Sequence, residues 1–523
     1  MTPLNTRLQP WQRLALAVVS GVLMAVPFLY APYYLLMWVA FVPLLFALQG
    51  VSLTNSYALG LVTGLVSCML AMYWITDFGV ITGGASPARS LFKGSILWLA
   101  SAQALALLAA VLTGLRRLHW RQHFLHDFIL FPVVFAAAFA LTPQLFPFHP
   151  ADTQSRFLSA IQAIEWTGIA GLDALIGLSN IMLYKGFLLL RRALSPPGQG
   201  LGPPPHLMAA LIPWITASVL IVMWFGYGAI SYRLWDNYLA QWQTVPVGLV
   251  QPNDVPTLAR PRVPPGYSLA HPPEMALTQQ LAKAGAVLVV WPEARYKGYF
   301  DNPHVQYAYA QQLAEAGTHL LFQDTEKVND RHAGPRQFNT AKMIDAKGVA
   351  QPPYRKIKTM LFGESLPFNG AVSWLNRISQ ALLGDFVTPV SSGTEPALFS
   401  LNNHLKVVPL ICYETGFPRF VANALPSNSS GNGTVLVAIS NDGWFGQTAQ
   451  PFQHVNASLL RAVENRVPFV HVVNNGPSLV VLPNGRILFQ APAFEAGGYL
   501  VDVPYLAPGV GTSISEDGDG QGP

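Results

Sequence analysis

Polar and apolar positions along this chain follow two different patterns. From residue 14 to residue 230, apolar runs succeed one another with short polar interruptions. Seven of them approach the roughly 20 residues that carry a helix across a hydrocarbon core: 14–30, 33–49, 57–76, 92–115, 127–147, 158–184 and 207–230. The first two are short, and the spacing predicts a tight hairpin around Ala31-Pro32. From Asn237 onward the pattern changes. Residues 245–251, 286–291, 319–323 and 435–440 are short apolar runs bounded by turn residues, which fits buried strands. Residues 275–284, 305–316 and 451–464 repeat apolar positions at helical spacing. Strands alternating with helices predict an α/β layered domain over residues 240–505. Val480-Val481 and residues 487–489 flank Pro483-Asn484-Gly485 and predict a hairpin. The organisation expected is a transmembrane helical domain at 1–236, an α/β domain at 237–508 and a polar, disordered tail at 509–523.

Composition sharpens the membrane reading. Hydrophobic residues make up 51% of the 523 and charged residues 11%, against about 25% charged in an ordinary soluble domain. The net charge of +5 does not point to nucleic acid, because the cations flank apolar runs and form no single basic face. They read as topology signals. One set of alternate loops carries Arg7 and Arg13, then Arg116, Arg117 and Arg121, then Lys185, Arg191 and Arg192; the opposite set carries little beyond Arg89, Lys93 and Arg156. The positive-inside rule then puts the N-terminus in the cytoplasm, and seven spans put the α/β domain outside. The first apolar run is read as a signal-anchor, since further spans follow it. Residues 195–206 form a Pro/Gly linker in the last cytoplasmic loop.

There are two cysteines. Cys68 lies in an apolar run and Cys412 in the α/β half, so they are not expected to pair. A lone thiol outside the cytoplasm is either a buried packing residue or a reactive group.

Three segments carry candidate chemistry: Val289-Val290-Trp291-Pro292-Glu293-Ala294, Tyr354-Arg355-Lys356 with Phe362-Gly363-Glu364 after it, and Pro409-Leu410-Ile411-Cys412-Tyr413-Glu414. Each places a reactive residue at or soon after a predicted strand end, where α/β domains carry their chemistry. Acyl transfer needs a nucleophile, a group to take its proton and a positive charge for the oxyanion. Cys412, Glu293 and Lys356 supply those three. Taken singly, Glu293 also reads as a helix N-terminal carboxylate and Lys356 as a surface lysine.

Read together and in order, these segments resemble the nitrilase (carbon–nitrogen hydrolase) superfamily, with its Glu-Lys-Cys triad on an αββα sandwich. With seven spans in front, the chain resembles the apolipoprotein N-acyltransferase family. Ser440-Asn441-Asp442-Gly443-Trp444-Phe445-Gly446, Gln453-His454, Arg461-Ala462-Val463-Glu464 and Asn474-Asn475-Gly476 extend the resemblance. It implies Glu293 as general base, Lys356 as oxyanion cation and Cys412 as acylated nucleophile. Glu364 would support Lys356, Tyr413 and Glu414 would shape the pocket with Trp444 and Phe445, and a backbone N–H near Tyr413 would complete the oxyanion hole. It further implies a phospholipid acyl donor, a diacylglyceryl apolipoprotein acceptor, a multi-pass inner-membrane location with a periplasmic catalytic domain, and a monomer. No metal-ligand spacing and no phosphate loop is present, so no cofactor is expected. His454 reads as a helix residue packing under the site, with a Cys-His pair as the alternative. Arg461 and Glu464, one helical turn apart, are expected to pair.

The chain departs from the family pattern in four places. Residues 498–503 read as a strand followed by a polar tail, where the family usually carries one more span. Residues 359–364 read Thr-Met-Leu-Phe-Gly-Glu, where the family tends to have Leu-Val-Pro-Phe-Gly-Glu. Residues 254–267 lack the family's tryptophan and are rich in proline. Arg295 follows the first segment, placed to bind a phosphate or to balance Glu293. Two rival readings stay open at this stage: a membrane-tethered amidase using the same triad, and a non-catalytic lipoprotein-binding relative.

Overall fold

A computed structural model describes residues 8–83, 86–118, 125–193, 207–256, 263–293, 300–330, 334–366, 372–383, 389–426 and 433–507. The Pro/Gly linker, the C-terminal tail and Arg295 lie outside them. The chain divides into two compact units, Met1–Tyr73 with Leu91–Tyr232, and Trp74–Ser90 with Arg233–Pro523.

The first unit is helical: α1 (Pro10–Leu29), a 3-10 stretch (Ala31–Trp38), α2 (Val42–Ala47) and α3 (Leu53–Ala71), then, after α4 (Trp74–Gly83) of the second unit, α5 (Pro87–Ser101), α6 (Gln103–Leu118), α7 (Leu125–Leu141), α8 (Leu158–Ile161), α9 (Ile164–Ala193) and α10 (Leu207–Leu239). Among the described residues, five stretches are long and apolar enough to cross a membrane: Pro10–Leu29, Leu53–Ala71, Pro87–Arg117, Ile164–Arg191 and Leu211–Leu239. The other two expected spans, Ala31–Ala47 and Asp127–Leu141, are shorter. The first of these is broken between a tight 3-10 turn and a short helix. Its 17 residues rise only about 25 Å, against roughly 30 Å of hydrocarbon. It still runs back along α1 as the expected hairpin. Arg13 donates to the Ala47 and Gln49 carbonyls at 2.5 and 2.7 Å, and Ser20 Oγ donates to Ala40 O at 2.5 Å.

The break leaves main-chain groups without helical partners, and side chains of α9 supply them. Phe41 N donates to Asn180 Oδ1 at 2.9 Å, and Asn180 Nδ2 donates to Met37 O at 3.1 Å. Irregular backbone is tolerated in an apolar bundle only when it is satisfied in this way. Small residues let backbones approach elsewhere. A Cβ added at Gly60 of α3 would lie 2.4 Å from Leu105 O, and one at Gly64 would lie 2.7 Å from Ala102 O.

The second unit holds two six-stranded sheets. Its strands are β1 (Gln243–Gln251), β2 (Leu288–Val290), β3 (His319–Asp330), β4 (Gly334–Ile344), β5 (Tyr354–Arg355), β6 (Phe399–Ser400), β7 (Leu405–Ile411), β8 (Gly433–Ser440), β9 (Phe469–Val473), β10 (Leu479–Val481), β11 (Ile487–Gln490) and β12 (Gly497–Tyr505). One sheet runs β12-β1-β2-β3-β4-β5 and the other β11-β10-β9-β8-β7-β6. The triplets β1-β2-β3 and β7-β8-β9 are parallel. The remaining pairings are antiparallel, including the expected hairpin β10-β11, whose turn sets Gly485 at φ +83°.

Alternation along the strands decides which side chains face which layer. Val245, Val247 and Leu249 of β1 bury between the sheets with Val407, Val437 and Val472 of the second sheet. Val250 of β1 points the other way and joins Val289, Leu320 and Phe322 under α11 (Pro273–Lys283) and α12 (Pro303–Ala316). Beyond the second sheet, α15 (Gln450–Asn465) packs on β9 and buries Val455, Leu459 and Val463, after α13 (Ser373–Leu383) and α14 (Pro418–Ala424) in chain order. The layers are helix, sheet, sheet, helix, which is the αββα sandwich expected.

Two pieces of the apolar half belong to this unit. α4 sets Trp74 and Phe78 against Phe445, with ring centroids 4.8 and 5.2 Å away, and Trp74 Nε1 donates to Gln453 Oε1 at 3.0 Å. The last turns of α10 place Asp236 3.1 Å from Arg486.

Candidate active site

Parallel strands expose their next residues at the sheet's carboxyl edge, where open α/β sheets bind ligands. Glu293 follows β2 after a Trp-Pro step, Lys356 follows β5, and Cys412 follows β7. The fold brings all three together. Cys412 and Glu293 stand close enough to perturb each other's ionisation, and Lys356 Nζ lies 3.7 Å from Glu293 Oε1. Lys356 is 2% exposed and Glu293 8%, so these charges interact with little solvent screening.

Each member has a second support. Lys356 Nζ donates to both Glu364 oxygens, at 3.0 and 2.9 Å. Glu364 Oε2 also accepts from Met360 N at 2.9 Å. Asn339 of β4, which the sequence did not single out, donates from Nδ2 to Glu293 Oε1 and to Glu364 Oε1, both at 2.8 Å. Its own Oδ1 accepts from Gln323 Nε2 at 2.9 Å, which fixes which end of the amide faces the carboxylates. Lys356 N donates to Asn339 O at 2.8 Å. The one available signal was position, since Asn339 sits at the middle of a long strand beside the lysine segment.

Cys412 sits at φ +50°, a left-handed conformation that costs a non-glycine residue of order 1–3 kcal/mol and persists only where the surroundings enforce it. Glu414, fully buried, provides part of that enforcement. Its Oε1 accepts from Tyr354 Oη at 2.7 Å, Ile357 N at 2.8 Å and Lys358 N at 3.0 Å, and its Oε2 accepts from Ile411 N at 2.8 Å. Glu414 thus pins the lysine segment to the cysteine turn. Tyr413 turns its ring edge to Phe417, with centroids 4.9 Å apart. Trp444 is partly exposed in the turn after β8, and Phe445 is buried against α4. His454 lies under the site, as expected: its Nε2 faces the Cys412 carbonyl at 3.3 Å and not the thiol. Arg461 and Glu464 pair at 2.8 Å.

The electrostatics follow from burial. Desolvation pushes the Glu293 carboxyl above its ordinary value; Lys356 pulls it back and Glu364 adds to the rise. Burial and the Glu293 charge push the Cys412 thiol well up, against the pull of Lys356. Burial acts on the Lys356 ammonium in the opposite sense, but Glu364, Glu293 and Cys412 outweigh it and hold the group charged. Glu364 is depressed, because Lys356 and the Met360 N–H overcome the cost of its burial. The resting arrangement is therefore a neutral thiol beside a carboxylate of raised basicity, with a fixed cation alongside. Such a set can remove the thiol proton as the sulfur attacks and can stabilise an oxyanion. Among the described residues no cluster of His, Cys, Asp and Glu is arranged to hold a metal.

Residues 267–505 match the carbon-nitrogen hydrolase family, and residues 20–182 match the apolipoprotein N-acyltransferase N-terminal domain. The apolipoprotein N-acyltransferase of Geobacter metallireducens is 29% identical over 503 residues, covering 92% of this chain and 87% of that one. That of Allorhizobium ampelinum is 29% identical over 284 residues, 52% of this chain and 50% of its own. Among solved structures, an amidase of the nitrilase superfamily from Nesterenkonia aligns over 50% of this chain and 92% of its own, at 19% identity and a TM-score of 0.35. With a matching domain in each half and a relative aligned along nearly its whole length, this chain is similar from end to end to the apolipoprotein N-acyltransferases.

Proposed function

We propose that the protein transfers a fatty acyl chain from a phospholipid, through a thioester on Cys412, to the N-terminal amine of a diacylglyceryl-cysteine lipoprotein. The observation that carries the covalent step is the gathering of Cys412, Glu293 and Lys356 in one buried site, with Lys356 3.7 Å from the Glu293 carboxylate.

In the first half-reaction Glu293 takes the thiol proton as sulfur attacks the ester carbonyl. The C–S bond forms, and the oxyanion is held by the Lys356 ammonium and the Tyr413 N–H. The ester C–O bond then breaks, and Glu293 returns the proton to the departing lysophospholipid oxygen. In the second half-reaction the lipoprotein amine attacks the thioester and gives a proton to Glu293. The C–N bond forms, the C–S bond breaks, and the proton returns to sulfur. Glu364 and Asn339 hold Lys356 and Glu293 in place, Glu414 holds the Cys412 turn, and Tyr413 and Trp444 meet the lipid.

The apolar helices suit a substrate whose tails stay in hydrocarbon. Five long spans or seven are both odd counts, so either leaves the N-terminus and the catalytic unit on opposite faces. Counted as seven spans, the apolar half puts Arg116, Arg117, Lys185 and Arg191 on the same face as the N-terminus, which favours a cytoplasmic N-terminus and a catalytic unit outside.

The test is to incubate the purified protein with phospholipid labelled in its acyl chain. A hydroxylamine-sensitive adduct on Cys412, discharged by a diacylglyceryl-cysteine peptide to an amide, is expected. Free fatty acid released without any acceptor amine would mark a hydrolase instead.

A further inference from the structure

Cys412 is held at its main chain. Its carbonyl accepts from Thr415 Oγ1 at 3.2 Å and faces His454 Nε2 at 3.3 Å. His454 Nε2 also lies 3.0 Å from Thr415 Oγ1, which accepts from Ser458 Oγ at 2.8 Å. The other ring nitrogen, Nδ1, lies 2.9 and 3.1 Å from the two Asp442 oxygens, and Ser440 Oγ donates to the same carboxylate at 2.9 Å.

Donor and acceptor chemistry fixes the proton count of this ring. A carboxylate and a peptide carbonyl accept hydrogen bonds and donate none. A neutral imidazole has one N–H and one lone pair, so it would aim the lone pair at one of them. Giving the Thr415 proton to Nε2 does not help, because the Cys412 carbonyl then loses its donor and faces a lone pair. Only the doubly protonated ring satisfies every partner, and Asp442 supplies the balancing charge.

We propose that His454 is a positioning residue that works as an imidazolium: it gives one N–H to Asp442 and the other to the Cys412 carbonyl, and so holds the strained nucleophile turn with its thiol beside Glu293. The inference rests on the reading of Cys412 as the acylated nucleophile. The titratable groups around the ring are Asp442 from the turn after β8, His471 from β9, Cys412 from the turn after β7 and, further off, Glu293 from the turn after β2. His471 is 5.0 Å from His454 between ring centroids, and both of its nitrogens are buried without a hydrogen bond. Burial and the neighbouring His454 push it down to about 3, so it stays neutral and leaves the cation to His454.

The test follows the initial rate of acyl-adduct formation on Cys412 against pH, with thermal unfolding as a check on folding, in the full chain and in Asp442→Asn, His454→Gln and His454→Ala variants. In Asp442→Asn the balancing charge is gone. The rate is expected to fall as pH rises through the ordinary histidine range, near pKa 6.5 or so, where the unaltered protein shows no such fall. His454→Gln still offers an N–H to the Cys412 carbonyl and is expected to keep the rate within about tenfold, while His454→Ala loses on the order of 100-fold. An Asp442→Asn profile parallel to that of the unaltered protein overturns the proposal. If that variant does not fold, the other two decide: equal rates in His454→Gln and His454→Ala overturn it, and recovery in Gln but not Ala supports it. Absence of any adduct on the unaltered protein fails the nucleophile reading itself, and this inference falls with it. An adduct that forms normally while the variants behave alike fails the inference alone.

Discussion

The hydroxyl of Tyr354 donates to the carboxylate of Glu414 at 2.7 Å, joining the strand that delivers Lys356 to the turn that delivers Cys412. The same carboxylate accepts from the main chain of Ile357, Lys358 and Ile411. All four partners are donors. Glu414→Gln would turn one acceptor oxygen into an amide NH2 facing donors, without changing size. A loss of about 2–4 kcal/mol in stability is expected, read as a lowered unfolding temperature. A fall in adduct formation should accompany it, because the Lys356 and Cys412 segments lose their shared anchor. An unchanged melting profile would count against this role.

Lys356 neutralises two buried carboxylates at once. Lys356→Met keeps the volume but leaves Glu293 and Glu364 uncompensated, which costs about 3–5 kcal/mol unless one of them takes up a proton. The variant should therefore be most stable at acid pH, where that proton is available. Unfolding measured across pH should show stability falling as pH rises, more steeply than in the unaltered protein.

In the proposed mechanism acylation requires Glu293 ionised, and burial raises its pKa above the ordinary carboxylate value. The sign follows directly: the rate is full above the raised pKa and is lost as pH falls through it. The half-point should lie above the roughly 4.3 of a free glutamate. Glu293→Gln should lower the rate by about 10²–10⁴-fold and abolish this acid limb. A limb that survives in the variant would assign the base elsewhere.

Asn339 donates to both carboxylates of the site. Asn339→Leu removes both hydrogen bonds and leaves Gln323 without its acceptor. A loss of about 1–3 kcal/mol in stability is expected for the stranded polar groups. The acid limb of acylation should also move to higher pH, since Glu293 loses a donor that favours its charged form. Asn339→Asp should be worse, because it adds a third buried acid beside Glu293 and Glu364.

His454 and Asp442 give stability a pH window. Burial pushes His454 down, but Asp442 outweighs it and the net pKa is raised. That contribution is complete below the unfolded value near about 6.5 and is lost as pH rises through the folded value. Asp442 is depressed: burial acts to raise it, and His454 more than reverses this. Its contribution is present above the unfolded value and is lost as pH falls through the folded one. His454→Gln should flatten the alkaline side of the stability profile, measured by thermal unfolding in detergent.

The sequence by itself determined a great deal. Period-two and helical alternation set the strands and helices of the catalytic unit, because each strand has to bury one face. The apolar runs set five helices of membrane-crossing length. Glu293, Lys356 and Cys412, which the fold brings together, stood out in the sequence since each follows a strand, in the order of a known family pattern. What alternation could not reach was the partner of each group. Asn339 and Gln323 are ordinary strand residues until β4 runs beside β3 and β5 and turns them toward Glu293. His454 reads the same whether it meets the thiol or the carbonyl, and only the packing of α15 against the cysteine turn chose the carbonyl. Phe445 was expected at the substrate pocket; what the sequence did not show is that its ring lies on Trp74 and Phe78, residues about 370 positions earlier that no local pattern connects to it. The short second leg of the first hairpin was likewise settled by tertiary contact. Hydropathy counts apolar residues, while helix length there depends on whether Asn180 can satisfy a broken backbone. Local pattern fixes what a residue can offer; only the folded chain fixes what stands opposite it.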